Sequence, residues 1–99
     1  MPEELTLEMF AAEVNNTFRM HYGGPEPAPL ELISATDLGS TPRQIQFSLI
    51  FRAPGDAPLR QGVYRVDHDK IGSIDLFLVP TGKDAKGVEY QAVFNRFIE

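Results

Sequence analysis

The chain contains no cysteine, which excludes disulfide frameworks, thiolate zinc sites and thiol nucleophiles together and leaves the fold indifferent to redox compartment. A basic cluster is also missing. The nine lysines and arginines are scattered along a chain of net charge −5, so no stripe of cations is available to neutralise phosphates, and nucleic acid is excluded as an expected partner. The acidic balance serves solubility first. No apolar run approaches the roughly 18 residues that a membrane-spanning helix needs, and Met1-Pro2-Glu3-Glu4 is acidic where a secretory signal is basic. The expectation is a soluble, unprocessed, cytoplasmic protein with no membrane partner.

Signatures of chemistry are equally sparse. Ser34, Ser40, Ser48 and Ser73 lie in no nucleophile-elbow context. Gly23-Gly24 lacks the Lys-Ser/Thr that would complete a phosphate loop. Pro25-Glu26-Pro27-Ala28-Pro29 spaces its prolines at every second residue, not in the PxxP pattern that proline-binding grooves read, and is expected to be a stiff loop. Asp67-His68-Asp69 is the constellation with most chemical potential, since imidazole between carboxylates can ligate a metal or act as an oriented base. Neighbouring residues on a strand point to opposite faces, however, so Asp67 and His68 do not converge on one ion. The expected setting is a polar hairpin end, with Asp69-Lys70-Ile71-Gly72 making the turn and His68 in contact with water. His21 is expected to face outward as a lone exposed histidine. The sequence thus predicts no catalytic residue, no metal and no cofactor, and the protein is read as not an enzyme.

What is present is periodicity. Ile45-Phe47-Leu49-Phe51, Ile74-Leu76-Leu78 and Tyr90-Ala92-Phe94 repeat at every second position, the spacing with which a strand lines one wall of a core. Phe47 is expected to be buried on the central strand. Helical spacing occurs only in the run from Leu5 to Val14, where Leu7, Phe10, Ala11 and Val14 form one apolar stripe. Thr6 is its expected N-cap, Leu5 its staple onto Phe10, and Asn15-Asn16 its stop.

Apolar-patterned runs near 17–22, 29–37, 43–53, 61–68, 73–80 and 87–97 are separated by turn signals, among them Pro54-Gly55-Asp56 and Thr81-Gly82-Lys83-Asp84. With 99 residues and 42% apolar content the chain makes a single domain over 1–99. Most links are short, which favours antiparallel neighbours and makes a six-stranded meander the simplest topology. The fold class is mainly β: one N-terminal helix and about six antiparallel strands in a small barrel or a two-layer sandwich, the helix plugging an open end or covering one face.

The strands' second faces supply the functional lead. If Ile74, Leu76 and Leu78 line the core, Phe77 and Val79 face away from it, as do Ile50, Val93 and Phe97 on neighbouring strands. Either the helix lies across these residues or they form a patch for self-association or another protein.

Leu5-Thr6-Leu7 through Phe10 and Phe18, Phe47-Ser48-Leu49-Ile50-Phe51-Arg52, Gln61-Gly62-Val63-Tyr64, Ile71-Gly72, Leu76-Phe77-Leu78-Val79-Pro80 and Tyr90-Gln91-Ala92-Val93-Phe94-Asn95, in this order and spacing, resemble the bacterial family of domain of unknown function 6916 over almost the whole chain. The resemblance implies a compact bacterial domain and supplies no catalytic residues. It also implies an association with phage-tail-like assemblies. The functional expectation is a non-enzymatic protein-interaction module of a bacterial assembly; the alternatives are a structural accessory of a phage-tail-like particle and a small-ligand or metal-binding domain using Asp67, His68 and Asp69.

Overall fold

The computed structural model describes residues 6–39, 41–55 and 57–97, and side chains as far as Asn95. Helix α1 spans Leu7–Ala11 and is followed by β1 Thr17–His21, β2 Ala28–Asp37, β3 Gln44–Ala53, β4 Gly62–His68, β5 Gly72–Asp84 and β6 Gly87–Phe97. Thr6 caps α1 from an extended backbone, its side chain accepting the Met9 N–H at 3.2 Å. The helix is shorter than its apolar stripe. Glu13 N–H and Val14 N–H donate to Phe10 and Ala11 carbonyls, so the last turn tightens to i→i+3 bonding. Asn15 then closes it at φ 76, a left-handed conformation that asparagine tolerates. Leu5, the expected staple, lies outside the described residues.

Alternation places the core as expected. Phe47, Leu49 and Phe51 of β3, Leu76 and Leu78 of β5, and Tyr90 and Ala92 of β6 are all buried. All strand pairs are antiparallel, and the sheet closes into a barrel in the order β1-β2-β3-β6-β5-β4. This corrects the meander. A short link limits how far apart consecutive strands lie, but not which strand fills the space between them. Here β6 pairs with β3 along its length, Gln44 opposite Phe97 through Ala53 opposite Val88, while β4 closes the ring on β1. The β3–β4 connection therefore crosses the barrel end. It is tied down by the Tyr64 hydroxyl donating to Arg60 O at 2.6 Å and by the Tyr90 hydroxyl donating to Pro58 O.

The last hairpin differs from expectation too. Thr81-Gly82-Lys83-Asp84 is strand, and the turn falls at Ala85-Lys86. A bulge between Pro80 and Gly82 absorbs the missing proline donor, and the Thr81 hydroxyl donates to Glu89 O at 3.3 Å. Bulges bend the strand that carries them, and β5 changes partner beside this one. Its residues Gly72 to Leu78 pair with β4, and Val79 to Asp84 pair with β6.

The helix plugs one end of the barrel. Phe10 is fully buried, with ring centroids 6.3 Å from Phe18, 6.1 Å from Phe47 and 5.5 Å from Phe94. Of the expected placements for α1, a cover over the outer face of β5 and β6 is thereby corrected: its one large aromatic is committed to the core.

Candidate interaction surface

With the helix at the barrel end, the outward side chains of β4, β5 and β6 remain uncovered. Phe77 is 53% and Val93 58% exposed, whereas Leu76 and Ala92, one residue earlier on the same strands, are 3% and 2% exposed. Val63 stands directly opposite Phe77 in the β4–β5 register and is 67% exposed. Ile50 and Val79 fall in the next row, each opposite Gln91, which separates them, and both are half-buried. The side chain of Phe97 lies outside the described residues. Val63 and Phe77 thus form an exposed apolar pair across β4 and β5, and Val93 is a further exposed apolar residue on β6.

Sequence reasoning about outward faces passed over Val63, although the alternation that buries Tyr64 and Val66 already turns Val63 away from the core. Polar residues frame the patch. Arg65 Nε donates to Asp75 Oδ1 at 3.0 Å, so these charges are satisfied by each other.

The structure separates the histidines from the patch and from one another. His68 ends the β4–β5 hairpin as expected, but not in water: it is 8% exposed, and its ring lies 4.3 Å from that of Phe18. Its Nδ1 accepts the N–H groups of Lys70 and Ile71 at 3.0 and 3.3 Å, and its Nε2 faces Glu13 Oε1 at 3.3 Å. An Nδ1 that accepts carries no proton, so the geometry calls for the tautomer protonated on Nε2, the nitrogen that faces the carboxylate. Asn16 Nδ2 donates to the same Glu13 oxygen at 2.9 Å. The His68–Glu13 contact, with Lys70 Nζ 4.0 Å from Glu13 Oε2, joins the turn after α1 to the β4–β5 turn. His21 is exposed as expected but has a partner, Asp67, with Nε2 to Oδ2 at 2.6 Å.

Asp67 also accepts from the Ser73 hydroxyl at 2.7 Å, and that bond first, then the one to His21, holds its carboxyl below the ordinary value of 3.8. The serine hydroxyl is thus directed to a carboxylate and not to imidazole. Asp69 turns away from both histidines and pairs with Arg19 at 3.2 Å. Among the described residues no group of three His, Cys, Asp or Glu side chains is placed to hold a metal ion. A depression lined by Arg52, Gly82, Lys83, Asp84, Gly87 and Glu89 sets cations against acids, with Arg52 Nη2 3.8 Å from Glu89 Oε2.

The family model described as Domain of unknown function (DUF6916) matches residues 5–94. The chain belongs to the DUF6916 family. No curated protein and no solved structure matches it. The matched span takes in the capped helix, the closed sheet and most of β6, so the patch residues Val63, Phe77 and Val93 all lie within the DUF6916 region.

Proposed function

We propose that this DUF6916 domain is a non-enzymatic interaction module that binds another protein through the outer face of β4, β5 and β6. The observation that carries the reading is the exposure of Val63 and Phe77 opposite each other in the β4–β5 register, together with the exposure of Val93 on β6. Large apolar side chains grouped on rigid backbone lose water on association at little conformational cost, whereas isolated ones need no explanation. The remaining polar clusters favour a structural role, since each carboxylate and imidazole described above is engaged by a neighbour within the fold.

The test is partner capture from the host organism with the wild-type chain and with Phe77→Asp, followed by reconstitution from purified components. Phe77 is more than half exposed, so the variant should melt within about 4 °C of wild type, as surface substitutions change stability by about 0.5 kcal/mol or less. Binding should weaken by roughly 2 kcal/mol or more if Phe77 is a central anchor. Equal binding by both chains would overturn the reading.

A further inference from the structure

The change of partner along β5 leaves main-chain edges free beside the patch. Gly72 to Leu78 pair with β4 on one side only, and the β5–β6 ladder begins at Val79 opposite Gln91. Beyond Gln91, β6 continues to Phe97 with pairing to β3 alone. Among the described residues, then, β5 over 72–78 and β6 over 92–97 each present one unpaired edge. Alternate residues of an antiparallel strand direct their N–H and C=O groups to opposite sides, so about half of these groups point to the free side.

A second observation sits beneath those edges. Ile74 and Phe94 face inward by the alternation that buries Leu76, Leu78, Tyr90 and Ala92, yet both are only partly buried. Leu7 of α1 is partly buried against the same core. The apolar floor is therefore incompletely covered where the ladder is missing, and Phe77 and Val93 flank the same stretch on the outside.

We propose that this region, between β5 residues 72–78 and β6 residues 92–97, accepts an extended strand from a partner protein. The inference rests on the interaction-module reading and specifies its mode, strand addition. Unpaired N–H and C=O groups call for a β-strand, because only extended backbone satisfies them in series. The floor selects its side chains: apolar at alternate positions, directed onto Ile74 and Phe94. The outward positions meet Phe77 and Val93 at one point and Ser73, Asp75 and Asn95 at others, all exposed, so that face of the strand is mixed. The chain's net charge of −5 disfavours an acidic segment.

The test is residue-resolved amide hydrogen exchange on the full chain, at concentrations where sedimentation shows a monomer. The probe is a synthetic peptide of about eight residues alternating valine and threonine, with lysines at its ends for solubility. In the free chain, alternate amides of 72–78 and 92–97 should exchange fast while the β3–β6 ladder is protected. Adding peptide should slow those amides roughly tenfold or more, and a twin peptide N-methylated at alternate residues should not. Slow exchange of every amide in both stretches of the free monomer would overturn the proposal, as would absence of protection at millimolar peptide. Protection that instead grows with protein concentration, together with a dimer mass, would overturn the partner protein in favour of a second copy. Partner binding that depends on Phe77 while the edge amides stay fast would retain the interaction module and reject strand addition.

Discussion

Glu13 and His68 face each other at 3.3 Å with side chains only 8% and 7% exposed, joining the turn after the helix to the turn between β4 and β5. Neither residue's role follows from its position in the chain, and together they hold the aromatic plug in place: the ring of His68 lies on Phe18, which in turn meets Phe10. Removing the imidazole takes away the ring packed on Phe18 and a neighbour 3.3 Å from a buried carboxylate, which keeps only Asn16 Nδ2 at 2.9 Å and Lys70 Nζ at 4.0 Å. His68→Ala should therefore lose about 3 kcal/mol of stability in urea unfolding. Glu13→Gln keeps the side chain's shape and an oxygen acceptor and should lose distinctly less; equal losses would show that the carboxylate's charge, and not packing, sets the effect.

Asp67 gives a pH-dependent prediction. Its folded-state pKa lies below the ordinary 3.8, first through the Ser73 hydroxyl and then through His21. A depressed carboxyl pKa contributes stability above the unfolded value, and that contribution is lost as pH falls through the folded one. A carboxyl-carbon NMR titration should show Asp67 protonating below 3.8. Ser73→Ala and His21→Ala should each move its midpoint up.

Phe47 tests the packing. It is 1% exposed and stacked on Phe94 with centroids 4.6 Å apart. Phe47→Ala should cost roughly 3–5 kcal/mol, because the cavity would form where helix, β3 and β6 meet and cannot collapse freely. A loss under about 1 kcal/mol would contradict the burial described here.

Gly87 tests the last hairpin. Its φ is 133, and a Cβ added there would come within 2.0 Å of the Ala53 carbonyl oxygen. Gly87→Ala combines backbone strain with a clash against main chain that no rotamer relieves, and should destabilise by roughly 1–3 kcal/mol or more. The neighbouring pair should be perturbed first, visible as faster amide exchange at Lys83 and Val88, which lie opposite each other. By contrast Gly62→Ala meets nothing within 4 Å and serves as the control.

Much of the candidate surface was legible because side-chain direction on a strand is local. Once Leu76 and Ala92 are inward, Phe77 and Val93 must be outward. The same parity points His68 inward with Tyr64 and Val66, so its burial was available to sequence reasoning; its neighbours Asp67 and Asp69 suggested a polar hairpin end instead. The Glu13 carboxylate opposite it was not available, since the two residues meet only through tertiary contact.

The sequence by itself determined the six strands apart from the Thr81–Asp84 stretch, the apolar side chains that face the core, the Thr6 cap and the Asn15 stop, all of which follow from interactions a few residues long. Tertiary structure alone decided that β6 lies between β3 and β5, that β4 closes on β1, that β5 changes partner at Val79, and that α1 fills the barrel end and leaves Phe77 in the open. Alternation fixes the face of every strand but carries no information about its neighbour. Which edges meet depends on the packing of the whole core at once, and here Phe10 entering among Phe18, Phe47 and Phe94 takes the helix away from the sheet's outer face.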